Sequence, residues 1–322
     1  MNVGFDPLTA RSLRVSFLWA FVAGFMPPAW ADPPVGGIAV KVPVEDAAGR
    51  TVALDGMLWL PGGKARAAVV FANGSGGWRD YREGQYGRTL AAAGYAALAI
   101  DSFGARGITD TVTDQSQLSI VQMVRDELAG KNLLVARGIE GDRIAIMGWS
   151  RGGAVALAAA DGNFLAQERS RFRVAIAFYP ACNFRPRIAK PMSVVFMGLG
   201  DRDNYTGVKP CQDIADDYGK AGGTISVKVY ADSTHAFDGN PASTRASRDF
   251  MAETFINCVF VVAADGTADF QGQQFDLDHG FRDLVIYARR QRCAGKGATM
   301  WTNLRQKEEA RRDVLEFLNT NL

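Results

Sequence analysis

Ile144-Ala145-Ile146-Met147-Gly148-Trp149-Ser150-Arg151-Gly152-Gly153 reads as an apolar strand, a turn of pattern G-x-S-x-G-G, and the start of an alanine-rich helix over 153–160. A turn this sharp needs small residues. Gly148 and Gly152 let strand and helix pass closely and leave Ser150 presented at the strand's C-terminal end. The backbone N–H of Arg151, at the helix start, then points to where a carbonyl oxygen would gain charge. The stretch has the form of a nucleophile elbow.

Outward from it, short apolar runs at 67–72, 95–100, 143–147, 172–179, 192–197 and 225–230 suit strands buried on both faces of a parallel sheet. Helix-like stretches at 82–93, 115–137, 153–160 and 209–221 alternate with them, so the predicted class is α/β. Ahead of this lies an alternating pattern at 38–44 and 51–60 around Asp46-Ala47-Ala48-Gly49, which predicts an antiparallel hairpin. Residues 238–302 are less regular: 243–257 looks helical, and Val259 to Val262 followed by Asp265-Gly266 looks like a small hairpin. A charged amphipathic helix is expected at 303–318. We read 32–322 as one domain with 238–302 as an irregular excursion on it.

The composition agrees with a folded protein that buries a large core: 322 residues, 48% hydrophobic and 22% charged. With 36 Lys and Arg against 34 Asp and Glu, the formal charge is +2, which calls for neither nucleic acid nor an anionic membrane as partner.

Arg11 and Arg14 precede an apolar run at 15–26, and Ala29-Trp30-Ala31 follows Pro27-Pro28. That is the layout of a signal peptide over 1–31, with cleavage expected after Ala31. The run is shorter than the roughly 20 residues needed to span a bilayer, so no stable membrane span is expected after cleavage. The predicted location is periplasmic or secreted, where disulfides persist. Four cysteines permit three complete pairings, and the local one, Cys182–Cys211 with Cys258–Cys293, is preferred.

A serine hydroxyl attacks only when a base takes its proton, so a histidine is required. The chain has two. His235, in Thr234-His235-Ala236-Phe237, follows the last core run and is the favoured base; His279 lies in the excursion. The orienting carboxylate should fall between serine and histidine. Gly198-x-x-Asp201 and Gly200-x-x-Asp203 both match a glycine turn followed by an acid, and the residues alone leave both open.

Together, Gly148 to Gly153, Asp101-Ser102-Phe103-Gly104-Ala105-Arg106-Gly107 and Thr234 to Phe237 resemble the dienelactone hydrolase family of α/β-hydrolases, particularly its exported members. The resemblance covers most of 38–238 and, more loosely, the C-terminal helix. It implies an α/β-hydrolase fold, with a mostly parallel central sheet and helices on both faces. In the family the acid stands in G-x-x-D-[DN]-[WY]-T with a cysteine eight residues on, which Gly200 to Thr206 and Cys211 match, favouring Asp203. The founding enzymes use a cysteine nucleophile and a glutamate in the loop after the third strand. Here stand Ser150 and Asn73-Gly74-Ser75-Gly76-Gly77, with no carboxylate in that loop. By the same likeness the Ser75 N–H becomes the second oxyanion donor. Arg106 is a possible contact for an anionic substrate, or a loop brace paired with Asp101 or Asp110. Trp78, Tyr81 and Trp149 are candidates for lining an apolar pocket.

The expected function is a serine hydrolase that cleaves small-molecule esters, a carboxylesterase or dienelactone hydrolase-like enzyme with a Ser150-Asp203-His235 triad. It is expected to be a monomer or weak dimer and to need no metal or organic cofactor. The alternatives are a thioesterase or small-peptide hydrolase, and an exported binding protein that keeps the fold without turnover.

Overall fold

The computed structural model describes residues 1, 36–46, 49–164 and 170–322. Apart from Met1, the expected signal segment 1–31 lies outside the described residues, as do Ala47 and Ala48 of the first turn. Nine strands follow one another through the first part of the chain. They are β1 (Ile38–Glu45), β2 (Thr51–Trp59), β3 (Ala67–Ala72), β4 (Tyr95–Asp101), β5 (Ile144–Trp149), β6 (Val174–Phe178), the short β7 (Phe184–Pro186), β8 (Val194–Gly200) and β9 (Ile225–Tyr230). All but β7 join one sheet in the order β1-β2-β4-β3-β5-β6-β8-β9. The β1–β2 and β2–β4 pairs are antiparallel, and every later pair is parallel.

The burial of each strand follows from its place. In β1, at the sheet edge, only the alternate residues Val40, Val42 and Val44 are buried, whereas every residue of β3, β4, β5 and β6 is buried. Helices therefore cover both faces. Ile144 and Ile146 of β5 pack with α2 (Ile120–Ala136) and α3 (Arg151–Ala159), while Ala145 and Met147 pack with α1 (Gln85–Ala92) and the C-terminal helix (Leu304–Asn321). Helix α4 (Lys209–Lys220) packs Cys211 and Ile214 against Met197 and Leu199 of β8.

The excursion departs from expectation in two places. Residues 243–257 are not helical: β10 (Ser247–Thr254) is a strand paired antiparallel with β14 (Gly295–Met300), with a register shift between Asp249 and Glu253. The helix-like spacing there is overridden by a pairing to a strand more than forty residues away, which no local pattern displays. Between them, β11 (Phe260–Val262), β12 (Thr267–Phe270) and β13 (Gln273–Asp276) form a small sheet in which β11 runs parallel to β7, and α5 (Phe281–Arg290) follows. The β11–β12 hairpin turns at Asp265-Gly266 as its sequence predicts, whereas α5 and β7 are not anticipated. The last helix, α6 (Leu304–Asn321), is capped by Asn303, whose side chain accepts from the Gln306 N–H. Among the described residues no helix is long and apolar enough to cross a membrane.

Candidate active site

Ser150 sits between β5 and α3 at φ 55° and ψ −117°, a backbone region costly for any residue with a side chain. Its surroundings hold it there. Its N–H donates to Phe178 O at 2.9 Å, and its carbonyl accepts from the N–H groups of Ala154 at 3.0 Å and Ala181 at 3.3 Å. The flanking glycines are fixed by contact: a Cβ on Gly148 would lie 2.0 Å from Gly152 O, and one on Gly152 would lie 2.0 Å from Ala72 O. Neither position has room for a methyl group.

His235 stands in the loop after β9, a loop shaped by Asp232 and Ala236 at φ 52° and 58°. Its Nε2 lies 2.8 Å from Ser150 Oγ and its Nδ1 lies 2.8 Å from Asp203 Oδ2. The rings of Tyr179 and Tyr205 meet the imidazole edge-on at 4.8 Å and 4.7 Å. The C-terminal part of the chain fixes the loop from behind. Trp301 N–H donates to Thr234 Oγ1 at 2.9 Å, and Asn303 N–H donates to Phe237 O at 2.9 Å. Lys307, buried on α6, donates from Nζ to the carbonyls of Tyr81, Asp238 and Gly239 at 2.9, 2.8 and 2.6 Å. Burial pushes this ammonium down to about 8.

The two acids that the residues left open are separated by geometry. Asp203 Oδ1 accepts from the N–H groups of Tyr205 at 2.8 Å and Thr206 at 2.9 Å, and Oδ2 accepts the Thr206 hydroxyl at 2.8 Å. Burial by itself would raise this carboxyl, yet His235 and the Thr206 donors outweigh it and hold it at about 2. Asp201 is exposed, and its Oδ1 accepts the Ser233 N–H at 3.0 Å. It braces the histidine loop without touching the ring.

Ser75 and Arg151 both line a cavity of ≈ 60 Å³ that opens on Ser150. Gln115, not singled out in the sequence, ties them together. Its Nε2 donates to Ser75 Oγ at 3.0 Å and to Tyr205 Oη at 3.2 Å, and its Oε1 accepts from Arg151 Nη1 at 2.7 Å. The Arg151 guanidinium is turned away into the protein, where it also donates to the carbonyls of Gln115 and Leu118. Burial lowers it to about 10.

Asp238 was also missed, although an acid three residues past the histidine was the available signal. Fully buried, it accepts the Trp149 indole N–H at 3.0 Å and the hydroxyls of Tyr86 and Tyr179 at 3.2 Å and 2.5 Å. One carboxylate thereby links the residue before Ser150 to the ring beside His235.

Arg106 is corrected by the structure. It pairs with Asp126 through two hydrogen bonds of 2.7 Å each, and not with Asp101 or Asp110; it also donates to Ser102 O and is absent from the cavity wall. Asp101 instead accepts the N–H groups of Phe103 and Gly104. Trp78, Tyr81 and Trp149 do not line the cavity either; Trp78 stacks on Trp59, and Trp149 packs against Phe71 and Tyr86. His279 is exposed, with its Nε2 3.9 Å from Asp278 Oδ2. Cys182 is bonded to Cys211 and Cys258 to Cys293, at Cα separations of 5.1 Å and 5.3 Å. Among the described residues no group of His, Cys, Asp and Glu is arranged to hold a metal ion.

The chain has counterparts of like fold among solved structures. It is similar in structure to a thermophilic esterase, esterase 2 of the planctomycete Thermogutta terrifontis. Its propionate-bound form matches at 17% identity over 65% of this chain and 88% of that one, with a TM-score of 0.53. The apo form matches at 18% identity over 64% and 87%, with a TM-score of 0.52. The form phosphorylated by paraoxon matches at 17% over 65% and 87%, with a TM-score of 0.51. At such identities the likeness shows the α/β-hydrolase fold. No curated protein sequence matches the chain. The profile of the dienelactone hydrolase family matches residues 54–254, from the second strand to the end of β10. The chain belongs to the dienelactone hydrolase family.

Proposed function

We propose that this protein is a serine hydrolase of small-molecule esters in which Ser150 is the nucleophile, His235 the general base and Asp203 the acid that orients the base. The observation that carries the reading is the single imidazole spanning Ser150 Oγ and Asp203 Oδ2 at 2.8 Å on each side. His235 accepts the hydroxyl proton as Ser150 attacks the ester carbonyl. It returns that proton to the departing alcohol, leaving an acyl-enzyme. Water, deprotonated by the same imidazole, then releases the acid. The N–H groups of Arg151 and Ser75 receive the oxyanion, a role typically worth about 3 kcal/mol per donor.

The chemistry needs no cofactor. The scheme is supported by family membership and by the cavity that Ser150 lines together with Ser75 and Arg151. We further propose that residues 32–322 act as one domain, exported as a monomer or weak dimer, with the excursion supplying one wall of the site. The test is turnover of a p-nitrophenyl ester by Ser150→Ala and His235→Ala. Each should lose at least about 10²-fold in kcat, since base catalysis is worth at least that much. A His235→Ala protein keeping more than about a tenth of the wild-type rate would overturn the assignment.

A further inference from the structure

The cavity at Ser150 shares part of its wall with a neighbour. A second cavity of ≈ 30 Å³ lies beyond it, and Ile120, Ala181 and Phe184 line both. The excursion contributes Phe255, Ile256, Phe260, Phe281 and Val285 to the wall of the near chamber. The far chamber is lined by Ala154, Leu157, Ala158, Ile214 and Ile225 of the main fold.

The charged groups at these walls are already engaged. Glu253 accepts two hydrogen bonds from Arg289, at 2.6 Å and 2.8 Å, and one from the Gln115 N–H at 2.8 Å. Arg151 is held by the carbonyls of Gln115 and Leu118. In the far chamber, Asp161 is bonded to Asn163 and to the Lys190 N–H, and Asp217 pairs with Arg185. Phe184 lines both chambers. It is on β7, where it faces Phe260 of β11 in the parallel pair, and its ring lies 4.9 Å from that of Phe260 and 6.1 Å from that of Phe281.

Resting on the serine hydrolase reading above, we infer that the substrates are esters of straight-chain aliphatic acids, and that Phe184 with Ala181 and Ile120 sets how long an acyl chain is accepted. An uncharged chain of methylenes is the ligand that a narrow, apolar, charge-satisfied passage favours. The chain belongs to the acyl side because the acyl group stays bound through both half-reactions, whereas the alcohol must leave after the first. An inward chamber with a constriction serves the part that stays.

The test is kcat/KM for p-nitrophenyl esters from acetate to decanoate. In the wild type it rises about fourfold per methylene, as apolar burial predicts, until the chain meets Phe184, and then levels or falls. In Phe184→Ala the ratio of decanoate to butyrate kcat/KM rises at least tenfold; in Ala181→Val it falls. Phe184→Leu replaces the alanine variant should that fail to fold, with a smaller change of the same sign. Ratios unchanged in these variants, a steady fall from acetate onward, or length dependence seen only when the alcohol is lengthened would each overturn the inference.

Calorimetric binding of decanoate against butyrate to Ser150→Ala protein reads the chamber without turnover. Tighter decanoate binding that Ala181→Val weakens supports the chamber even if the hydrolase reading fails. Equal and weak binding of both acids contradicts it even if esters are cleaved.

Discussion

Asp203 lies 2.8 Å from His235, whereas Asp201, two residues earlier on the same turn, reaches only the Ser233 backbone. The first prediction follows from that contrast. Asp203→Asn replaces the carboxylate that orients the imidazole with a neutral amide and should lower kcat by about 10³ to 10⁴, as loss of the orienting acid does in serine triads. Asp201→Asn should cost less than tenfold. Steady-state kinetics of both variants check this, and the reverse order would move the orienting role to Asp201.

The elbow glycines give a prediction about folding. Gly152→Ala would drive a methyl group to 2.0 Å from the Ala72 carbonyl oxygen, a backbone atom that cannot swing aside. The expected result is a loss of at least about 3 kcal/mol of stability or failure to fold, at the severe end for a single substitution. Denaturant unfolding measures it; a variant within 1 kcal/mol of wild type, where surface changes usually fall, would show that strand and helix can move apart.

Glu127 on α2 is fully buried, with no protein hydrogen-bond partner for either carboxylate oxygen among the described residues. Burial, with Asp126 adding to it, pushes this carboxyl well above its ordinary range. Such a group adds no ionisation-linked penalty below the unfolded-state pKa of about 4.3. Above it the unfolded chain ionises while the folded one does not, so stability falls as pH rises, by up to about 1.4 kcal/mol per pH unit. Glu127→Gln should therefore be more stable than wild type by a margin that widens from pH 5 to pH 8. Thermal melts across that range check it, and a constant margin would mean that Glu127 ionises in the folded protein.

The Cys258–Cys293 bond closes the segment that carries β11 to β13 and α5, with a separation of 35 residues. Replacing both cysteines by serine should cost roughly 3 to 4 kcal/mol in the chain-entropy model. Because Phe260, Phe281 and Val285 of that segment line the cavity, turnover of longer esters should suffer more than turnover of acetate. Thermal melts and ester kinetics of the double variant read the two effects, and unchanged melting would mean that the segment holds itself in place.

What the sequence could and could not disclose divides along the range of the interactions. β3 to β6 were readable because strands buried on both faces are apolar almost throughout, and the elbow was readable because its geometry is set by Gly148, Ser150, Gly152 and Gly153 within six residues. β10 was misread because its partner β14 lies across the whole excursion. Asp201 and Asp203 carry the same side chain on the same turn, so the residues alone leave both open; the family resemblance favours Asp203, and the fold turns Asp203 to the histidine. Asp126 as the partner of Arg106, Gln115 between Ser75 and Arg151, and Asp238 under Trp149 are contacts between residues 20, 40 and 89 or so apart in sequence. No motif announces them.

The central claim, that Ser150 is a nucleophile activated by His235, is tested most directly by reacting the folded protein with a fluorophosphonate and locating the adduct by peptide mass spectrometry. The account predicts one adduct per chain, on Ser150, formed at least about 10²-fold more slowly in His235→Ala and absent in Ser150→Ala. An unlabelled Ser150 in folded wild-type protein, or labelling that is indifferent to His235, would contradict it.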